Sequence, residues 1–436
     1  MNAESANARI QNKLVSSHFG GDAYLRDSHL LMARLITAHI DGGYTLQLDA
    51  RSTGGDDMAS RWDSSTARAW YAALPWQSGC NFAPSYAINQ LEMWQAETFD
   101  LNAIDRELAL AASVGMTAIR VYLHDLLWLQ DAQGFMARIE AFLQHADAHK
   151  IRTMFVLFDS CWDPDPVLGP QRAPLPGVHN SGWVQAPGMK ALNDPAQHPR
   201  LEAYVRGVVG RFANDPRILA WDIWNEPDNG PDVALCDVDE WRIKGELVRP
   251  LMVDAFGWAR ASGPTQPLTS AIWIGDWSDH DKLTPLQQAQ IDNSDIITFH
   301  NYGDGTDFAC RVRWLEAYGR PIMCSEYMAR PAGSSFQAIL PIAQKHRIGM
   351  FCWGLVRGKT QTHLPWANWI SPIKDFPAEA WFHDIFDEDG NPHDLAEVEF
   401  LRMMHSMEHY AETGEAGVRP KPKRARAATR RLAAVA

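Results

Sequence analysis

Eight short apolar runs, each followed by an amphipathic stretch, constrain this chain of 436 residues more than any other feature. The runs are rich in β-branched and aromatic residues: Ser78–Phe82, Thr117–Leu123, Arg152–Phe158, Leu219–Trp224, Leu268–Ile274, Ile296–His300, Pro321–Ser325 and Gly349–Leu355. Helical stretches lie between them over 101–114, 135–149, 200–213, 246–261, 284–291, 307–318 and 335–346, and a last one over about 393–409 follows the eighth run. Strands that alternate regularly with helices build a parallel sheet. Eight such units in about 340 residues predict an α/β fold of one kind, the (β/α)8 TIM barrel. An open doubly wound sheet is the alternative, but no GxGxxG follows any of the strands.

Composition narrows the setting. Hydrophobic residues make up 46% and charged residues 21%, enough apolar side chain for a sizeable core. No apolar run approaches the roughly 18 residues of a membrane helix, so no membrane partner is expected. The start, MNAESANARIQNKLVSS, is polar and lacks an apolar core of the kind secretory signals carry, which points to the cytoplasm. The six cysteines are scattered with no CxxC pair and no Cys/His metal spacing, so free thiols and no metal site are expected. A net charge of −13 argues against nucleic acid as the main partner. The barrel domain is placed over 71–412, after an N-terminal extension over 1–70 in which Leu30–Ile36 reads as a short helix, Gly42–Ala50 as a lone strand and STGGDDMASRWDSS as loose. Residues 413–436 carry the basic stretch RPKPKRARAATRR and read as a solvated, disordered tail.

A barrel of this kind keeps its chemistry at the C-terminal ends of its strands. The fourth strand ends in ILAWDIWNEPDNG, with Asn225 and Glu226 where it stops, and Pro227 ends the pairing because it has no N–H. The seventh ends in PIMCSEYMAR, with Glu326 at its tip. The two glutamates are 100 residues apart, three βα units along the chain, so they can face one another across the barrel mouth. Glycoside hydrolysis needs such a pair, one to protonate the leaving oxygen and one to attack the anomeric carbon or activate water. Strand two, TAIRVYLHD, places Arg120 in the barrel register, where a buried guanidinium needs an anion, and Glu326 is the candidate. Strand six, ITFHNYG, sets His300 and Tyr302 two apart and so on one face. Strand eight, MFCWGLVRG, offers Trp353 as a floor for an apolar sugar face. The 18 tryptophans include core residues, but an excess of aromatic side chains is also what sugar-stacking sites contain.

Taken together, these strand ends resemble glycoside hydrolase family 5, the cellulase-like family of clan A, over roughly residues 76–356. Arg120, Asn225, Glu226, His300, Tyr302, Glu326 and Trp353 match the family pattern one by one. The resemblance implies a retaining mechanism by double displacement on a β-linked glycan. Glu326 would be the nucleophile, Glu226 the general acid and base, and Asn225 a ligand of the sugar 2-hydroxyl. No metal or organic cofactor is implied. The negative charge of Glu326 is expected to raise the pKa of Glu226. One family position departs: strand three, MFVLFDSCWDPD, has Asp159 where the family carries His, with His124 and Asp125 past strand two as substitutes.

The connections after strands one and three are long. The first carries Asn81, Asn89, Glu92 and Trp94, and the second, over about 159–198, carries Trp162, Trp183 and many prolines. Loops of that length are functional or disordered, and this composition favours an ordered lid. Two further readings remain open: an exo-acting glycosidase on terminal sugars, furanosides included, and a non-catalytic sugar-binding barrel. Oligomeric state is not legible.

Overall fold

Strands covered by helices outside and by side chains inside must be apolar throughout, because neither face meets water. The computed structural model, which describes residues 60–230, 238–369 and 381–413, realises that pattern. Its strands are β1 (Ser78–Asn81), β2 (Ala118–Tyr122), β3 (Arg152–Asp159), β4 (Ile218–Asn225), β5 (Leu268–Thr269), β6 (Ile297–His300), β7 (Ile322–Tyr327) and β8 (Gly349–Trp353). All eight are parallel in one sheet, and β1 pairs with both β2 and β8. The two end strands, β5 and β6, meet through Ile272, whose N–H donates to Thr298 and whose carbonyl accepts from His300 at 3.0 Å. The sheet thus curls into the expected (β/α)8 barrel.

The fifth strand is shorter than the run Leu268–Ile274 predicts. Beyond Thr269 the backbone turns to side-chain partners: Gln290 donates to the Ala271 carbonyl at 2.6 Å, and Ser270 N–H donates to Ser294 Oγ at 3.2 Å. The second connecting helix is longer than expected, Asp125–Ala148, with a non-helical residue at Asp131. Local signals set several helix starts. Asp100 caps Leu101–Ser113, Asp304 caps Gly305–Glu316, and Thr284 with Gln287 forms a capping box on Pro285–Asn293.

A helix over Ser64–Ala72, capped by Asp63, covers ground expected to be loose up to Ser65. Its Tyr71, with Leu74, packs against Ala118, Met154, Leu219, Ile296, Met323 and Phe351. Most of these lie at or near the starts of their strands, so the helix plugs the lower end of the barrel, opposite the mouth. Packing of the barrel therefore begins before residue 71. The expected helix at Leu30–Ile36, the strand at Gly42–Ala50 and the basic tail lie outside the described residues. No helix among the described residues is long and apolar enough to cross a membrane.

Strand contact is closest at Gly79. A Cβ there would stand 1.7 Å from the Ala118 carbonyl oxygen of β2, so only glycine lets β1 approach. Gly79→Ala should force the two strands apart and cost about 3 kcal/mol or more. Urea unfolding of the variant checks this, and an unchanged midpoint would rule out the close approach.

Candidate active site

Strand register decides which side chains meet at the barrel mouth. Asn81 on β1 lies level with Arg120 on β2 and Trp353 on β8, Asp159 on β3 with Asn225 on β4, and His300 on β6 with Glu326 on β7. Of the nine residues singled out from sequence, eight line or brace this rim.

Arg120 lies at its centre, with no exposed surface. Its Nε and Nη2 donate to Asp222 Oδ2 at 3.0 and 2.8 Å, and Nη2 also to Asn225 Oδ1 at 2.7 Å. Nη1 donates to Glu326 Oε1 at 2.9 Å, to Asn81 Oδ1 at 2.8 Å and to the Tyr122 oxygen at 2.6 Å. Glu326 thus receives the guanidinium and two phenols: Tyr122 donates to Oε1 and Tyr302 to Oε2, both at 2.8 Å. Glu226 has different company. His300 Nδ1 lies 2.6 Å from its Oε1, the Cys161 thiol donates to Oε2 at 3.4 Å, and Asn229 Nδ2 donates to the same oxygen. Its backbone sits at φ +41°, a region few non-glycine residues occupy, and Asn229 N–H closes the turn onto the Glu226 carbonyl at 2.8 Å.

One ligand atom from each of Glu226, His300 and Glu326 falls within 4.8 Å of the others, so the two carboxylates face one another across the mouth. These three are the one group of metal-ligating side chains that converges among the described residues. The Arg120 guanidinium already neutralises Glu326, and His300 Nδ1 is engaged with Glu226. Each of the three groups is therefore already partnered by protein side chains.

Burial governs the acidities. It pushes Glu226 up to about 7, against the pull of Asn229, Cys161 and Arg120. The elevation comes from desolvation, where the sequence reading credited the charge of Glu326. Burial raises Glu326 as well, opposed by His300, Arg120 and Tyr302. His300 is held down to about 4 by burial, so its imidazole is neutral near pH 7.

Asp159 does not reach either glutamate. It accepts from Asn225 Nδ2 at 3.0 Å and from Trp183 Nε1 at 2.6 Å, and so fixes the amide beside Glu226 and one tryptophan of the rim. His124 is not brought to the carboxylates. Its Nδ1 accepts the Leu126 N–H at 3.1 Å, capping the Asp125–Ala148 helix, and Asp125 pairs with Arg200 at 2.6 Å. A histidine at a strand-to-helix junction satisfies the helix end before it can serve a ligand, so neither residue substitutes for the absent family histidine. Sequence reasoning missed Tyr122, Asp222, Cys161 and Asn229. The first two carried a signal: Tyr122 is two residues from Arg120 and so on its face, and Asp222 is a lone carboxylate inside an apolar strand.

The long loops rise on one side of the mouth. Gln90, after β1, donates to the Val184 carbonyl in the loop after β3. That loop is in turn bound to the one after β8, with Asn180 N–H on the Thr360 carbonyl at 2.7 Å, His179 Nδ1 on the Leu364 carbonyl at 2.7 Å, and Trp162 stacked on Trp369 at 4.8 Å. Trp183 stands edge-on to Trp353, ring centres 6.1 Å apart. Between them lies a small, partly open pocket that begins at Asn81 and Tyr122, beside Glu326.

The sequence profile of the cellulase family, glycosyl hydrolase family 5, matches residues 73–370. No curated protein matches the chain. Among solved structures it is similar to an exo-β-1,4-mannosidase from Opitutaceae bacterium strain TAV5, at 18% identity and a TM-score of 0.50, covering 84% of this chain and 63% of that one. It is also similar to a β-glucosidase designated 1317, at 12% identity and a TM-score of 0.50, covering 76% and 98%. A GH5_18 protein from Streptomyces cattleya in complex with GlcNAc follows at 14% identity and a TM-score of 0.49, covering 79% and 82%. At these identities the likeness extends to the barrel fold alone.

Two outcomes test the electrostatics. If the reaction needs Glu226 protonated, kcat/KM should fall about tenfold per pH unit above the alkaline limb near 7. Asn229→Ala removes a donor that favours the charged form, so that limb should move to higher pH; a limb that stays put would show the donor to be idle. Arg120→Ala leaves Asp222 and Glu326 buried without their cation and should cost about 3–5 kcal/mol of stability by thermal or urea unfolding.

Proposed function

Because the chain belongs to glycosyl hydrolase family 5, a retaining glycoside hydrolase of β-linked glycans, we propose that Glu326 is its nucleophile and Glu226 its general acid and base. The observation that carries this assignment is the unequal surroundings of two neighbouring carboxyls. Two such groups hold one proton between them over a range of pH. The guanidinium and two phenols on Glu326 favour its anion, which leaves the proton on Glu226.

Glu326 attacks the anomeric carbon while the Glu226 proton passes to the departing glycosidic oxygen. The bond to the aglycone breaks, and a glycosyl ester forms on Glu326. Esterification removes the negative charge there, so Glu226 then ionises more readily. It takes a proton from the incoming water, which attacks the anomeric carbon and releases the sugar and the Glu326 carboxylate. Neutral His300 holds the Glu226 side chain in place throughout. Asn225, aligned by Arg120 and Asp159, is the ligand of the sugar 2-hydroxyl, and Trp353 floors the sugar.

The action is exo, on terminal sugars. The loops after β1, β3 and β8 are hydrogen-bonded into one wall, and a wall on that side supports action at chain ends over a through-going cleft. A non-catalytic barrel would have no use for two donor sets that hold its glutamates in different states.

Glu326→Ala should lower turnover by several orders of magnitude, and a 2-deoxy-2-fluoro glycoside should trap the sugar on the Glu326 peptide. Glu226→Ala should regain activity with azide, yielding a glycosyl azide of retained configuration. Near-normal turnover in Glu326→Ala would mean that another group attacks. Mixed mid-length oligomers released early from a polymer would mean endo action instead.

A further inference from the structure

Asp384 has no place in that mechanism, yet it lines the same pocket. It is fully buried, and its Oδ2 accepts from Thr362 Oγ1 at 2.9 Å. Its Oδ1 has no partner among the described residues, nor does any cation there pair with the carboxylate. An unpaired carboxylate oxygen out of water is costly unless a ligand supplies a donor.

The surrounding backbone packs closely against that oxygen, and only a residue without a side chain fits there. Gly354, directly after Trp353, sits at φ +77°, and a Cβ there would stand 2.1 Å from Asp384 Oδ1. Asp384 itself is at φ +57°, an uncommon conformation that its surroundings enforce. Arg330 donates to the carbonyls of His383 and Asp384 at 2.8 and 2.9 Å while it binds Glu397 at 2.7 Å. The segment is thus clamped to the C-terminal helix Leu395–Thr413, and the carboxylate is held towards the pocket without being bound by the clamp.

We propose that Asp384 recognises free hydroxyls of the terminal sugar, at the end of the pocket away from Glu326, and so selects the outermost neutral sugar of a β-linked chain. The proposal rests on the assignment of Glu226 and Glu326 above. Glu326 meets the pocket through Tyr122, and Trp183 and Trp353 are among the residues that line it. A ring seated there presents its apolar faces to the indoles and its outer hydroxyls to Asp384 and Thr362. An ionised carboxylate only accepts, so it matches hydroxyl donors. Burial pushes Asp384 up to about 7, and the fields of Arg330 and Arg357 work against that rise. A carboxyl raised to that range passes readily between acceptor and donor, which suits neutral hydroxyls. A further sugar attached to those hydroxyls would meet the clamped segment.

The experiment compares wild type and Asp384→Asn on the best-cleaved 4-nitrophenyl β-glycoside of a glucose, mannose and galactose panel, and on its monodeoxy analogues. Asparagine tolerates a positive φ and keeps the shape, so the fold should survive, which the melting temperature checks. The variant should lose about 10- to 100-fold in kcat/KM on the parent glycoside. Wild type should lose as much on one deoxy analogue, and Asp384→Asn little more on that same analogue. Thr362→Ala should show a smaller loss confined to the same hydroxyl. Independent, additive losses on every analogue, or an Asp384→Asn variant with wild-type kcat/KM, would overturn the proposal, as would cleavage confined to mid-chain bonds. Trapping on Glu326 by the fluoro glycoside is read in parallel. If the trap succeeds and the losses add, the catalytic assignment stands and the role of Asp384 falls. If the trap lands elsewhere, the catalytic assignment fails, and the deoxy series still decides the role of Asp384.

Discussion

Arg120 is the group on which barrel and site both depend. A guanidinium sealed inside a barrel loses its hydration, and that cost is offset only if all five N–H donors find acceptors in good geometry. Here they reach Asp222, Asn225, Glu326, Asn81 and the Tyr122 oxygen, on strands β1, β2, β4 and β7. The ion pair with Asp222 settles most of the charge deep in the barrel. The remaining donor then polarises Glu326 at the surface of the site without tying up both of its oxygens. One side chain therefore fixes the strand register around the mouth and the ionisation of the group that lies there.

The second consequence is an asymmetry between like groups. Glu226 and Glu326 are both buried, and burial raises both. Their neighbours separate them. Phenols and a guanidinium favour an anion; an amide, a thiol and a neutral imidazole favour it far less. Chemistry that needs an acid and a nucleophile of the same residue type obtains both from the environment. The positive φ at Glu226 belongs to this arrangement, because the turn it makes returns Asn229 to its own carboxyl.

Loops on one side of the mouth complete the site. None is ordered alone. The loop after β3 closes on itself, with Asp163 paired to Trp183 and Gln185, and is tied as well to the loops after β1 and β8, while Arg330 binds the β8 loop to the last helix. Pocket depth is thus a property of three segments far apart in sequence, and a change in any one of them would alter which glycans fit.

Sequence alone determined the repeating βα units, and with them the barrel and the mouth at its strand ends. Short apolar runs and period-3.6 hydrophobicity are local, so they survive in a linear reading. It also placed Glu226, Glu326, Arg120, Asn225, His300, Tyr302 and Trp353 at strand ends, because a strand end is itself a local feature. What it could not decide was contact. Tyr122 is two residues from Arg120, yet only the register of β2 against β7 brings its hydroxyl to Glu326. His124 and Asp159 lie equally near strand ends, but one turns into a helix cap and the other into a brace for Asn225 and Trp183. Cys161, Asn229 and Asp384 sit in loops with no periodic signal at all. The acidity of Glu226 likewise depends on burial, which exists only once three separate loops and eight strands have closed around it, and a desolvation cost cannot be read from the order of residues.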